Sequence, residues 1–379
     1  MSKKILTLII LLCITLLATE TKAQYTNFEH DGITRQYIYY QPESLNEQMP
    51  LVFVMHGYTG DAVSIKNYSQ MNDFADQYGF AVCYPRGTVD PGGNRFWNVG
   101  YAFHPNETVD DVGYLTQLAQ YLQQSNGLNP DYTFATGMSN GGEMCYMLAC
   151  QGYDTFKAVA PVAGMILQDI LDECDAAPAI PVFEIHGSQD GVTPLAGDPD
   201  NNDGWGSYPS IADTIEYFVE KNGCTTLIQE SLPNTNTSDG SFVVSEKYTE
   251  GVNQNEVWYY KVVGGGHDWP GAFGNMDINA GEQAWLFFEK YINANLSNTY
   301  NRFITNEIQF FPNPTNSIVN IKSVATNQIL RLQLFNTLGQ QQKVNYKNNQ
   351  LDFKMHPAGV YLLKIYTNNG TITKKIIRY

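Results

Sequence analysis

The segment that most restricts the fold of this chain is Gly137-Met138-Ser139-Asn140-Gly141-Gly142, a glycine-flanked serine where an apolar run, 131–136, gives way to a helical pattern from about residue 140. A serine on such a strand-to-helix turn is held in a strained conformation that projects its hydroxyl above the sheet, and small neighbours relieve the crowding around it. A bland turn has no need of glycine on both sides.

The surrounding sequence repeats the strand-then-helix order. Apolar runs at 50–55, 80–84, 131–136, 157–163, 180–185 and 257–263 read as strands, and 66–78, 110–125, 140–150, 211–221 and 280–295 read as helices. An open, largely parallel sheet covered by helices is expected, with its site at the carboxyl ends of the strands. With 32 Gly, 17 Pro and 13% aromatics, the chain suits turns and strands better than a long helical bundle. Its 379 residues allow one large domain and a smaller one. Charge marks the division, since residues 24–304 carry 10 Lys/Arg against 35 Asp/Glu and residues 305–379 carry 9 against 2. Short alternating strands at 318–321, 329–335, 360–366 and 371–377 predict a small β-sandwich in the tail, which holds no chemical constellation.

The formal charge of −16 argues against nucleic acid or an anionic membrane as partner. At the start, Lys3 and Lys4 precede an apolar run from Ile5 to about Leu17, and Thr21-Lys22-Ala23 offers small residues before Gln24, so residues 1–23 read as a signal peptide. That run is shorter than the ~20 residues that span a bilayer, and no later stretch could span one. Export makes disulfides plausible. Cys83 is expected to pack in its strand, Cys145 and Cys150 point to different helix faces and should not pair, and Cys150 with Cys174 is the expected bridge.

A serine hydroxyl is a poor nucleophile until a base takes its proton. In the order Ser, acid, His, only His267 and His356 follow Ser139 with room for an acid between, and His356 belongs to the basic tail. His267, at the end of Val262-Val263-Gly264-Gly265-Gly266-His267, is the expected base. Asp190, leaving the run 180–185 at its carboxyl end, is the expected acid, with Asp268 the rival and Asp172 and Asp175 read as solvated charges. Asn140 and the turn His56-Gly57-Tyr58-Thr59-Gly60 should supply the oxyanion hole, through Tyr58 first and Thr59 second. His56 and His186 read as structural, and the order His56, Asp110 or Asp111, Ser139 fails because that arrangement belongs to β-barrels. Trp258 and Trp285 read as core, whereas Trp97, Trp205 and Trp269 lie in loops expected to converge on substrate, where flat faces suit sugars, phenolic rings or a polyester. The loop Asp198 to Gly204 has a calcium-like alternation of carboxylates, but its glycine is one place late and the twelfth-position Glu is missing. No catalytic metal and no cofactor is expected.

With His56-Gly57, Gly137 to Gly142, His186-Gly187-Ser188-Gln189-Asp190 and Gly265-Gly266-His267-Asp268-Trp269-Pro270, residues 50 to about 293 resemble the α/β-hydrolases that include polyhydroxybutyrate depolymerases and feruloyl or acetylxylan esterases. The resemblance implies an open, mostly parallel sheet with helices on both faces, a triad of Ser139, Asp190 and His267, and a Phe96-Trp97-Asn98 loop near the substrate. It also implies a bridge from Cys224, although residues 241–262 contain no cysteine to receive it. From Phe310 the tail, with Phe311-Pro312-Asn313-Pro314, Leu334 to Gly339, Pro357-Ala358-Gly359-Val360-Tyr361 and Lys374-Lys375-Ile376-Ile377, resembles the C-terminal sorting domain of type IX secretion. The implied organisation is a signal peptide at 1–23, a catalytic domain at 24–297, a linker at 298–308 and a sorting domain at 309–379. The implied protein is secreted or held at the cell surface, passes through the type IX machinery, and is a serine esterase of feruloyl or acetyl groups on xylan. Polyhydroxybutyrate depolymerase is the alternative, with a peptidase or a non-catalytic carbohydrate-binding surface protein further off.

Overall fold

The computed structural model describes residues 25–43, 48–294, 308–323, 329–337, 339–347, 349–367 and 370–379. The expected signal peptide, and all of the expected linker except residue 308, lie outside these. The described chain divides into two units that part between Ala284 and Trp285.

The first unit is built on a ten-stranded sheet. Its strands are β1 (Thr26–His30), β2 (Ile33–Tyr40), β3 (Leu51–Met55), β4 (Ala81–Arg86), β7 (Thr133–Met138), β8 (Ala158–Val162), β9 (Val182–Gly187), β10 (Thr226–Ser231), β11 (Phe242–Thr249) and β12 (Val257–Val263). A separate two-stranded ribbon pairs β5 (Thr88–Val89) with β6 (Arg95–Phe96). The sheet order is β1-β2-β4-β3-β7-β8-β9-β12-β11-β10. The six strands from β4 to β12 run parallel, and β1, β2, β11 and β10 add antiparallel margins. Strands β3, β8 and β9 are buried at every residue, which is why they read as unbroken apolar runs.

Helices α1 (Ala62–Ser69) and α2 (Met71–Tyr78) connect β3 to β4, and α3 (Asp111–Asn126) connects β4 to β7. Then α4 (Asn140–Gln151) leads to β8, α5 (Gln168–Glu173) to β9, and α6 (Ile211–Asn222) to β10, while α7 (Ala280–Ala294) follows β12. The single helix expected over 66–78 is two helices, because Gln70 takes a left-handed φ of 53° that ends one and starts the next. The chain moves from β3 outward to β4 and then back past β3 to β7. Right-handed crossovers in opposite directions put α1 and α2 on one face and α3 and α4 on the other. A crevice therefore opens at the carboxyl ends of β3 and β7, the switch point where open α/β sheets bind their ligands.

The second unit contains two four-stranded antiparallel sheets. One orders β13 (Ile308–Phe311), β14 (Ile318–Ser323), β18 (Gln350–Asp352) and β17 (Tyr346–Lys347). The other orders β16 (Gln341–Gln342), β15 (Ile329–Asn336), β19 (Gly359–Thr367) and β20 (Gly370–Arg378). Val319, Leu334, Leu351, Leu363, Ile365 and Ile376 form its core.

Cys150, near the end of α4, is bonded to Cys174 just after α5, whereas Cys83, Cys145 and Cys224 are free. Closing a loop across 24 positions restricts the unfolded chain. The double variant Cys150→Ser, Cys174→Ser is expected to lose about 3 kcal/mol of stability, read from urea midpoints. The core also holds a carboxyl. Glu143, on the first turn of α4, is 2% exposed, and burial pushes its pKa up to about 7, only partly offset by hydrogen bonds from Tyr101 and Asn140. A carboxyl whose folded value lies above the ordinary 4.5 stabilises fully below that pH, and its contribution falls away as the pH rises toward 7. Glu143→Gln is therefore expected to leave stability at pH 5 nearly unchanged and to raise it at pH 8, measured by the same denaturant series.

Candidate active site

Ser139 stands between β7 and α4 with φ 56° and ψ −124°, a region that L-residues rarely occupy. Its backbone is locked from both sides: its N–H donates to Val162 O of β8 at 2.9 Å, and its carbonyl accepts from Glu143 N at 2.8 Å. Close approach of α4 to the sheet requires the glycines. A Cβ on Gly141 would run into the Met55 and His56 carbonyls at the end of β3, and one on Gly137 would strike the Gly141 carbonyl. The Ser139 side chain is half-buried, next to Gly57 in the loop after β3, and no hydrogen-bond partner for its hydroxyl is found among the described residues.

Asp190 and His267 come together on neighbouring loops. Ser188 N donates to Val262 O and Gln189 N to Gly265 O, both at 2.8 Å, lacing the loop after β9 to the loop after β12. Gly187 lies so close to Gly266 that a side chain there would collide with its carbonyl. The result is a 2.7 Å hydrogen bond from His267 Nδ1 to Asp190 Oδ2. Asp190 is fixed by four further groups: Val192 N and Thr193 N donate to Oδ1 at 2.8 and 2.9 Å, the Thr193 hydroxyl donates to Oδ2 at 3.0 Å, and His186 Nε2 lies 3.4 Å from Oδ2. Burial works to raise the Asp190 pKa, but His267, Thr193 N–H and His186 outweigh it and hold the carboxyl below its usual value. Nδ1 of His267 being engaged, Nε2 is the nitrogen left with a lone pair, and the ring is 19% exposed at the sheet's carboxyl edge. The rival Asp268 lies beside Gly266 and Gly274, away from that hydrogen bond.

The loop after β3 separates its two candidate donors. Thr59 N donates to Arg95 O at 2.7 Å, so this N–H is already spent, whereas Tyr58 N has no partner among the described residues. Asn140, the first residue of α4, is fully buried, and its side chain clamps Trp97: Oδ1 accepts from Trp97 N at 2.7 Å and Nδ2 donates to Trp97 O at 3.0 Å. His56 is structural: Nδ1 donates to Gly57 O at 2.8 Å, Nε2 accepts from Gly87 N at 3.0 Å, and burial lowers its pKa to about 4. Asp111, its supposed partner in the rejected order, is paired instead with Arg35 at 2.6 Å. His186 is likewise enclosed, between Glu184 Oε1 and Thr193 O, each at 2.8 Å.

Two of the three expected substrate tryptophans are corrected. Trp97 and Trp269 are both 0% exposed, so neither offers a face to a ligand. The Trp97 indole donates to His56 O at 2.9 Å, which makes its loop part of the scaffold beneath the crevice. Trp205 is half-buried and belongs to a ring cluster that the sequence reading missed, 5.1 Å from Tyr101, 5.4 Å from Phe103 and 5.8 Å from Tyr58. Phe103 is 44% exposed. The aromatic spacing in Tyr101-Ala102-Phe103 was the available signal, and Ala102 N bonded to Trp205 O at 3.0 Å joins the two loops. In the acidic loop, Asp198 accepts from Asn202 N at 2.9 Å and from Asp203 N at 2.8 Å, which accounts for its carboxylate without a cation.

Two segments of the chain match known families. Residues 35–214 match the family "Esterase PHB depolymerase", and residues 309–378 match "Secretion system C-terminal sorting domain". NocK of Nocardia uniformis subsp. tsuyamanensis, which carries an esterase name, is 29% identical over 60% of this chain and 67% of its own. Feruloyl esterase B of Piromyces equi is 26% identical over 58% of this chain and 39% of its own. Poly(3-hydroxybutyrate) depolymerase of Ralstonia pickettii is 31% identical over 33% of this chain and 27% of its own. The chain thus spans about two thirds or less of the length of these relatives. Among solved structures, acetyl xylan esterase from Aspergillus awamori shares the fold, with a TM-score of 0.50 at 15% identity over 70% of this chain and 99% of that one. The chain thus has the α/β-hydrolase fold, a segment at 35–214 that matches the model of the PHB depolymerase esterases, and a C-terminal sorting domain that marks it for secretion or the cell surface.

Proposed function

We propose that the chain is a secreted serine carboxylic-ester hydrolase in which Ser139, Asp190 and His267 act as nucleophile, acid and base. The observation that carries this reading is the 2.7 Å bond between His267 and Asp190, on laced loops at the same carboxyl edge of the sheet as the strained turn that presents Ser139. His267 Nε2 takes the Ser139 proton as the oxygen attacks the ester carbonyl, while Asp190 stabilises the imidazolium that forms. The oxyanion is met by Tyr58 N–H and by Asn140 N–H at the start of α4, where the helix dipole adds to the hydrogen bonds. Collapse expels the alcohol with the proton from His267. Water, deprotonated by the same nitrogen, then releases the acid from Ser139. The Ser139–His267 hydrogen bond closes when substrate arrives, as such contacts tighten in the Michaelis complex.

For the substrate, we assign feruloyl or acetyl esters of a plant polysaccharide such as xylan. Tyr58 joins the loop beside Ser139 to the half-buried Trp205 and the exposed Phe103, and these rings supply a surface for a flat acyl group or sugar. A polyhydroxybutyrate chain is the second reading, favoured by the family match over residues 35–214. Residues 24–297 form the esterase, and residues 309–379 the segment read by the type IX machinery.

Ser139→Ala is expected to lower kcat by at least ~10⁴-fold with the fold intact, and an organophosphonate should label Ser139 in the native chain alone. Mass spectrometry finding no adduct would remove the mechanism. Trp205→Ala is expected to raise KM for methyl ferulate by roughly tenfold, about the worth of one aromatic contact, and to change KM for acetylated xylan much less. A panel with a short hydroxybutyrate oligomer separates the two polymers.

A further inference from the structure

We propose that His30, Asp31 and Asp110 form a binding site for one divalent transition-metal ion of the zinc class, tying the β1–β2 hairpin to the start of α3. The site lies in the esterase unit and is separate from the proposed Ser139, Asp190 and His267.

His30 is the last residue of β1 and is 4% exposed. Its Nδ1 lies 3.2 Å from Gln117 Oε1 on α3. A carbonyl oxygen can only accept, so Nδ1 carries the proton, and in the neutral ring Nε2 holds a lone pair. That buried Nε2 has no hydrogen-bond partner among the described residues. It faces two carboxylates, with Asp31 Oδ2 at 3.6 Å and Asp110 Oδ2 at 3.7 Å, and the three atoms all lie within 4.8 Å of one another. Three electron-rich atoms converging on one point repel each other unless a cation sits among them.

Local structure builds each ligand's position. Asp31 and Gly32, both with positive φ (48° and 74°), form the two-residue turn between β1 and β2 that sets the Asp31 side chain beside His30. Asp110 caps α3, its Oδ1 accepting from Gly113 N at 2.7 Å, and this leaves Oδ2 directed at His30. Arg35, the cation on the adjoining strand β2, does not neutralise the pair, since its guanidinium is bonded to Asp111 at 2.6 Å. Its guanidinium lies over the Tyr114 ring, which also packs 6.1 Å from the His30 ring.

The donor set selects the ion. An imidazole nitrogen with two carboxylates suits zinc and its neighbours, whereas calcium and magnesium take oxygen alone. A tetrahedral ion with bonds of about 2.0–2.1 Å holds its ligand atoms roughly 3.4 Å apart, close to the 3.6 and 3.7 Å between His30 Nε2 and the two carboxylate oxygens. Water completes the coordination on the exposed side. The Gln117 oxygen fixes the ring from behind, as outer partners of metal-bound histidines do. No short motif announces such a site, because one ligand is separated from the other two by the whole β2–β4 region.

The test uses the full-length chain, freed of metal by a chelator and then titrated calorimetrically with zinc chloride. Binding of one Zn²⁺ per chain is expected, with a melting temperature raised by roughly 5 °C at a hundredfold excess over Kd. The double variant Asp31→Asn, Asp110→Asn keeps an N-cap on α3, since asparagine caps as well as aspartate. It should retain the metal-free melting temperature and bind zinc at least ~10-fold more weakly, and His30→Gln should do the same. Equal zinc affinity in native and double-variant chains would overturn the proposal. An equal shift with calcium that survives His30→Gln would also overturn it, by leaving only a carboxylate site. A melting temperature that ignores zinc, with a fall between pH 5 and 8 that His30→Gln removes, would overturn it too, by assigning a proton to Nε2.

Discussion

How closely α4 can approach the sheet decides what the carboxyl edge of this protein can hold. The first turn of that helix sits against the carbonyls of Met55 and His56, a distance open only to a residue without a side-chain carbon at position 141. Held there, the backbone at Ser139 takes a φ of 56°, and its carbonyl and N–H are consumed by the helix and by β8. Strain of this kind persists because neighbouring structure over-determines it. The same approach brings Asn140 under the Phe96-Trp97-Asn98 loop, where its amide holds both polar groups of the Trp97 backbone. One packing distance thus sets the serine, the start of the helix and the floor of the crevice together.

On the other side of the crevice the governing interaction is electrostatic. Asp190 is an anion taken out of water, and five groups repay that cost: two backbone N–H groups, one hydroxyl and two imidazoles. Burial alone would push its proton on, and these partners keep it off. A carboxylate so fixed can orient one ring nitrogen of His267 and leave the other with its lone pair unengaged. The buried Glu184–His186 pair stands directly behind this loop, and His186 also accepts the task of anchoring Thr193 through its carbonyl.

Much of this was legible in the sequence, and the parts that were not share a physical cause. Central strands such as 51–55 and 182–187 are buried on both faces and betray themselves as apolar runs. The marginal strands β1, β2, β10 and β11 were not read, and β10 shows why, since its residues are half-buried at best and carry no alternation. The helix expected over 66–78 broke at Gln70, a left-handed position that no glycine announces. For the site, chain order and loop placement point to Ser139, Asp190 and His267, and the last two are joined by a hydrogen bond. Chain order could not tell a loop that faces solvent from one that folds inward. Trp97 and Trp269 were therefore read as exposed surfaces, whereas both are packed into the interior. Pairings such as Arg35 with Asp111, 76 positions apart, are equally invisible to local pattern.

The inward turn of Trp97 bears on how such a chain can change its preference over time. A ring whose indole nitrogen holds the His56 carbonyl, and whose backbone is gripped by Asn140, is masonry and cannot be redecorated without disturbing the turn that carries Ser139. Phe103 and Trp205, by contrast, sit on loops joined by the backbone bond from Ala102 N to Trp205 O and bear no such burden. Divergence toward new ligands, in nature or by directed evolution, is therefore channelled to Phe103 and residues 203–206, while 95–98 and the buried Tyr101, bonded to Glu143, stay constant.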